Sequence, residues 1–78
     1  MKLEIITPDK KIYEGTVKSA VFCGSDGSFG VLSNHAPMIA TLKAGNIDIV
    51  EDSNNKQSFA VKGGVVEVLK NSVIVLAE

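Results

Sequence analysis

The chain lacks tryptophan and arginine, and it has only one cysteine and one histidine among its 78 residues. The missing arginines argue against a nucleic-acid-binding protein, because such proteins favour arginine for bidentate contacts to phosphates and bases. The basic residues are eight lysines, and nine acidic residues outweigh them to give a net charge of −1. We therefore expect no nucleic-acid partner.

Long hydrophobic runs are also missing. No segment approaches the roughly 20 apolar residues that a membrane-spanning helix needs. Lys2 and Glu4 interrupt the apolar N-terminus, where a signal peptide needs an unbroken core. We therefore expect a soluble chain with no direct membrane insertion.

The single cysteine excludes an internal disulfide, so the chain is not a disulfide-stapled secreted scaffold, and a reducing compartment is favoured. Cys23 lies in an apolar stretch, where a free cysteine behaves as a small buried hydrophobe. A metal site needs several clustered ligands, and this sequence has no CxxC motif and no second histidine. We expect neither a metal nor a cofactor.

What the sequence does contain is apolar–polar alternation with a period of two, interrupted at short intervals by Gly, Pro, Asn and Asp. Ile47 and Ile49, for example, alternate with Asn46 and Asp48. The pattern predicts one all-β domain over residues 1–78, built as a sandwich or barrel. We predict strands at 2–7, 11–22, 29–32, 38–42, 46–51, 57–62, 64–69 and 72–76. Gly15 is expected to introduce a bulge or kink into the second of these.

Several strands are apolar on both faces. In "PMIATL", Met38 and Ala40 lie on one side and Ile39 on the other. A two-layer sandwich buries one face of each sheet and leaves the other in water. Strands that are apolar on both sides therefore imply further cover, either from barrel-like curling or from another subunit.

The stretch "DGSFGVLSNHAPM", from Asp26 to Met38, gathers the polar residue types of an active site. It has no G-x-S-x-G elbow, and the lysine and spacing of a phosphate-binding loop are missing. We interpret His35 as a turn residue whose ring is hydrogen-bonded to the backbone or lies on the surface. An esterase that uses His35 is kept as one alternative.

The same stretch carries a family resemblance. Gly27–Leu32 followed by His35–Pro37 resembles the G-x-F-G-I-L-x-x-H-A-P signature of the epsilon subunit of F-type ATP synthase, called delta in mitochondria. Further segments that match in the family's order are Leu3–Pro8, Leu42–Gly45, Phe59–Val68 and Asn71–Ala77. The resemblance covers essentially the whole chain.

The resemblance implies a flattened β-sandwich of about ten short strands, as in the N-terminal domain of that family. It implies a non-catalytic rotor subunit of the central stalk, which links the gamma subunit to the c-ring and couples proton transport to ATP synthesis. Catalysis occurs on other subunits. The location implied is peripheral, on the cytoplasmic face of the bacterial inner membrane.

The resemblance also implies two contact sets. The residues expected to meet the c-ring are Gly24, Ser25, Asp26, Gly27, Ser28 and Phe29. Those expected to face gamma are Thr7, His35, Met38, Ile39 and Ala40. Family members usually carry an acidic residue just before the phenylalanine position, where this chain has Ser28, and Asp26 lies two residues earlier. Which of the two makes the polar ring contact stays open.

Family members usually continue past the position of Glu78 into a two-helix hairpin, which carries an inhibitory function and, in some bacteria, an ATP site. This chain ends at Glu78, so neither role is assigned to it. An alternative function is a standalone small β-sandwich that binds a ligand or self-associates through an apolar sheet face.

Overall fold

A computed structural model describes residues 1–78 and consists of eight β-strands without a helix. The strands are β1 (Lys2–Ile6), β2 (Lys11–Gly24), β3 (Gly27–Leu32), β4 (Met38–Leu42), β5 (Gly45–Glu51), β6 (Lys56–Val61), β7 (Gly64–Leu69) and β8 (Ser72–Ala77). The all-β class is confirmed. No helix of the length and apolarity needed to cross a membrane is present.

β2 is one continuous strand of 14 residues, which is one reason why the structure has eight strands rather than about ten. The bulge predicted at Gly15 is wrong, because Gly15 lies in regular register opposite Leu3. The register shifts in β2 lie elsewhere. Ile12 has no partner in the ladder with β1, and Lys18 has none in the ladder with β5. At Gly15 the ring of Tyr13 occupies the space that a Cβ would need, so the glycine makes room for an aromatic neighbour.

The strands form one curled sheet that folds over on itself. Its order is β1-β8-β7-β4-β2-β5-β6, with β3 on β2 and a further pairing of β1 with β2. β2 belongs to both layers, since its first half pairs with β1 and its second half with β3 and β5. A bridge between Gly24 and Leu42 closes the curl. This curling supplies part of the cover that the doubly apolar strands imply.

One core lies between the layers. Its fully buried large side chains are Leu3, Ile5, Val17, Phe22, Val31, Ile47, Ile49, Val66, Val68, Val73 and Val75. They come from six strands and alternate with outward side chains, as the period-two pattern predicts. No buried side-chain nitrogen or oxygen lacks a hydrogen-bond partner.

Tyr13 joins the two layers beside this core. Its ring packs on Phe59 with 5.2 Å between ring centroids, and its hydroxyl donates a hydrogen bond of 2.5 Å to Glu51 Oε2. Gln57 Nε2 donates to the same oxygen at 3.0 Å. Burial and the neighbouring Glu51 carboxylate raise the pKa of Tyr13 from 10.0 to about 12. Tyr13 therefore remains a neutral donor across the physiological pH range.

Candidate interaction site

Residues Gly24–Phe29, predicted to meet the c-ring, form the tip of the β2–β3 hairpin. The strand ladder pairs Gly24 with Gly27 and leaves a turn of two exposed residues between them. Gly27 has φ 130°, a backbone conformation in which a residue without Cβ is favoured. Phe29 is half-buried, and its ring lies 5.5 Å from that of Phe22. The tip is thus a tight projection, shorter than the loop that the sequence predicts.

The hairpin tip is fixed against the neighbouring part of the chain. The Ser25 backbone N–H donates to the Thr41 carbonyl at 2.9 Å, and Thr41 Oγ1 donates to Ser25 Oγ at 3.0 Å. The Lys43 N–H donates to the Cys23 carbonyl at 2.9 Å. These hydrogen bonds hold the hairpin tip against the end of β4. They therefore set the position of the tip relative to β4.

A groove of about 580 Å³ runs between the tip and β4. It is lined by Gly24–Phe29 on one side and Met38–Thr41 on the other. Asp26 is the only ionisable residue among them. The structure therefore brings together the whole predicted ring-contact set and three of the residues predicted to face gamma.

Those three residues of β4 point in two directions. Ile39 faces outward and is 71% exposed, whereas Met38 and Ala40 are half-buried and pack against the core. Thr41 shares the outward face of Ile39 and lines the groove. Thr41 is not among the residues predicted to face gamma, although the alternation in "PMIATL" places it on the face of Ile39.

His35 lies in the turn between β3 and β4 and is half-buried. Its Nδ1 is 2.7 Å from the carbonyl oxygen of Ala36. Asn34 precedes it with φ 63°, a left-handed conformation that asparagine tolerates. The prediction of a turn histidine with its ring bonded to the backbone is confirmed.

Thr7 lies apart from the other residues predicted to face gamma. It sits in the β1–β2 turn, where its Oγ1 accepts a hydrogen bond of 3.2 Å from the Lys10 N–H. The register places Ile6 beside Leu76, and two further strand pairings separate Leu76 from β4. Thr7 is also at the end of the sheet opposite Met38, so no single small patch contains both residues.

Cys23 is buried, and its Sγ donates to the carbonyl oxygen of Lys43 at 3.2 Å. The prediction of a buried structural cysteine is confirmed. No group of three or more histidine, cysteine, aspartate or glutamate side chains is arranged to hold a metal ion. The distinctive features of this surface are therefore the groove and the exposed side chains around it.

Residues 1–78 match the family model described as "ATP synthase, Delta/Epsilon chain, beta-sandwich domain". The chain belongs to the ATP synthase delta/epsilon family. This delta/epsilon chain is 45% identical over 78 residues to the ATP synthase epsilon chain of Sulfurimonas denitrificans, matching 100% of its own length and 60% of that protein. It is 39% identical over 77 residues to the epsilon chain of Chlorobium limicola, matching 99% of its own length and 88% of that protein.

Solved structures share the fold of this delta/epsilon chain. The mitochondrial ATP synthase of Euglena gracilis (OSCP/F1/c-ring) contains a chain that matches with a TM-score of 0.90 at 21% identity, over 96% of this chain and 48% of that one. The central stalk/c-ring structure of the Tetrahymena thermophila mitochondrial ATP synthase contains another, with a TM-score of 0.79 at 20% identity, over 99% and 62%. Identities this low show the fold alone. The β-sandwich fold and the family resemblance are confirmed.

The delta/epsilon chain departs from the family pattern at its hairpin tip. Ser28 stands where the resemblance implies an acidic residue, and the structure pairs it with Cys23 near the start of β3. Asp26 lies in the turn itself and is exposed. The chain spans about 60% of the length of the Sulfurimonas relative. The contact sets of ring and gamma stay predictions.

Proposed function

We propose that this delta/epsilon chain is a non-catalytic rotor subunit in the central stalk of an F-type ATP synthase. It links the gamma subunit to the c-ring and couples proton transport to ATP synthesis, while other subunits carry out catalysis. The observation that supports the proposal is the groove, in which the hairpin tip predicted to meet the ring lies beside part of the strand predicted to face gamma. A subunit that bridges two partners needs two such surfaces in fixed relation.

The hairpin tip has the properties of a contact for polar loops of the ring. Gly27 is exposed and lets another backbone approach closely, and the exposed serines offer hydrogen bonds. Asp26 at the apex supplies the one charge. Since Asp26 lies in the exposed turn, we assign the polar ring contact to it rather than to Ser28, which lies within the strand ladder.

The contact with gamma is centred on β4. Ile39 presents a large apolar side chain to solvent, and such a side chain is stabilised when a partner covers it. Met38 and Ala40 lie on the opposite face of β4, where they pack on the core and hold the strand in place. His35 fixes the turn that leads into β4. Thr7 needs a second, separate patch of gamma.

The location follows from the proposed ring contact. A subunit that touches polar loops of a membrane-embedded ring is peripheral to the membrane. We place it on the cytoplasmic face of the bacterial inner membrane, as a member of the ATP synthase complex. The tip at Gly24–Phe29 is then the part of the domain nearest the membrane.

Co-elution with gamma tests this proposal. Mixed at micromolar concentration and passed over a size-exclusion column, the purified chain and the gamma subunit of the same organism are expected to elute as one complex. The chain alone is expected to elute as a monomer and to show no ATPase activity. Separate elution would contradict the proposal, and a tight homodimer indifferent to gamma would support the alternative of a self-associating sandwich.

A further inference from the structure

The outward face of β4, β7, β8 and β1 is apolar over several adjacent strands. We call it the outer face, and its apolar members are Ile6, Ile39, Val65, Leu69, Ile74 and Leu76. Direct cross-strand pairs connect them, Val65 with Leu76 and Leu76 with Ile6. Leu76 is 57% exposed, so the folding of this chain on itself does not cover the outer face.

One carboxylate stands in the middle of the outer face. Glu67 lies opposite Ile39 on one neighbouring strand and opposite Ile74 on the other. Along its own strand the residues on the same face are Val65 and Leu69. All four nearest positions around Glu67 are therefore aliphatic. Glu67 is exposed and takes part in no salt bridge and no side-chain hydrogen bond within the chain.

The carboxylates of β1 and β2 on this sheet face are compensated. Lys11 Nζ lies 3.1 Å from Glu4 and 2.9 Å from Glu14, and Lys2 Nζ lies 3.4 Å from Glu14. Hydrogen bonds from Lys11 and Lys2 hold the pKa of Glu14 below its usual range, and the same carboxylates raise the pKa of Lys11. Two lysines thus balance two glutamates, and Glu67 is left as the one carboxylate within β1, β4, β7 and β8 that has no salt bridge.

We propose that the outer face is covered by an apolar partner surface that carries one lysine or arginine, and that the pairing of this cation with Glu67 selects the partner. Covering Glu67 without a cation would bury an unpaired carboxylate, which is strongly unfavourable. A charged pair inside an apolar contact also fixes the register of the two surfaces. The inference rests on the proposed function, since it takes gamma as the partner, and it adds the contact that decides specificity.

Charge argues against two other occupants. A second copy related by a two-fold axis through the centre of this face would place two Glu67 carboxylates near each other, and like charges repel. An anionic lipid surface attracts clustered lysine or arginine, and the apolar part of the outer face contains neither. A partner of opposite charge remains the best match to the residues present.

Replacing Glu67 with leucine distinguishes an apolar contact from an apolar contact with a charge pair. If hydrophobicity alone drove binding, E67L would bind gamma more tightly. If a partner cation pairs with Glu67, E67L leaves that cation buried without a counter-ion, and we expect affinity to fall roughly tenfold or more. E67Q keeps the shape of the side chain and should weaken binding in the same direction. Isothermal titration of the purified chain with purified gamma measures both.

The control is Asp52→Asn, which removes one negative charge from the exposed β5–β6 turn on the other layer of the sandwich. Its affinity for gamma should equal that of the wild type, which separates a local pair from a change in net charge. Added salt, from roughly 50 to 500 mM, should weaken the wild type more than E67L, since screening acts on the charge pair.

Several outcomes would overturn the inference. If the wild type binds gamma and E67L binds as well or better, the proposed function stands and the charge pair does not exist. Dimerisation of the wild-type chain in sedimentation, or its binding to phosphatidylglycerol vesicles with tighter binding by E67L, would assign the face to another occupant. A wild-type chain that does not bind gamma at all overturns the proposed function and this inference together.

Discussion

The Gly64→Ala variant is expected to lose about 3–5 kcal/mol of unfolding free energy. Gly64 has φ 144°, and a Cβ there would lie 3.0 Å from Ala77 Cα and closer still to the Leu76 carbonyl oxygen. Both obstacles are backbone atoms of β8, so relief requires β7 and β8 to separate. For a domain of 78 residues, stability totals about 4–12 kcal/mol, so this loss is a large fraction of the total. Thermal denaturation followed by circular dichroism should show a drop of about 12 °C or more.

Two other glycines serve as matched controls for Gly64. Gly27 also has a positive φ, 130°, but a Cβ added there would meet no atom within 4 Å, so Gly27→Ala should show the strain of about 1–3 kcal/mol without the clash. Gly30 has neither problem, since the nearest neighbours of an added Cβ would be 3.9 Å away, and Gly30→Ala should change stability by less than about 0.5 kcal/mol. If Gly64→Ala melts within a few degrees of Gly30→Ala, the described β7–β8 geometry is wrong.

The Ile39→Glu variant is expected to bind gamma at least about 30-fold more weakly than the wild type, a loss of roughly 2 kcal/mol or more. Ile39 is 71% exposed and belongs both to the groove lining and to the outer face. Covering a carboxylate at this position would desolvate a charge that has no partner on β4. Because the side chain points to solvent in the free chain, the melting temperature should fall only slightly, through repulsion between the new carboxylate and Glu67 opposite it on β7. Isothermal titration with purified gamma gives the affinity.

Leu32→Glu is the control for Ile39→Glu. Leu32 is 65% exposed and lies on β3, in the other layer, so it matches Ile39 in size and exposure and differs in location. It should bind gamma as the wild type does. Equal weakening by both variants would mean that any new carboxylate harms binding, and unchanged binding by Ile39→Glu would remove β4 from the interface. Met38→Glu is less informative, because Met38 packs on the core and its replacement also affects folding.

The period-two alternation allowed most of the fold to be predicted from the sequence. The predicted 38–42 and 64–69 coincide with β4 and β7, because turn residues flank both of these short, mostly apolar runs. The β2–β3 hairpin differs. A cluster of glycines and serines predicts a loop, yet Gly24 and Gly27 pair, since the ladder continues as far as backbone hydrogen bonds can form. The change of pairing partner along β2, from β1 to β3 and β5, likewise depends on strands that are distant in sequence.

The site was predictable as two sets of residues and not as one surface. The family resemblance of the motif around Gly27 and His35 led to both contact sets. The alternation of side-chain direction along the strand places Ile39 on the opposite face from its neighbours. The two sets are joined by the long-range contact of the hairpin tip with β4, through Ser25 and Thr41. No local sequence pattern predicts this contact. The sheet order, which places Thr7 far from β4, is equally invisible in a single sequence. So is the aliphatic ring around Glu67, since two of its four members come from other strands.

Site-specific photo-crosslinking in the assembled ATP synthase decides whether the tip meets the ring while β4 meets gamma. A photo-reactive amino acid replaces Asp26 at the hairpin apex in one sample and Ile39 on β4 in another. The expected products are a crosslink to the c subunit from position 26 and a crosslink to gamma from position 39. A crosslink from position 26 to gamma, with none to the c subunit, would refute this arrangement of the two contacts.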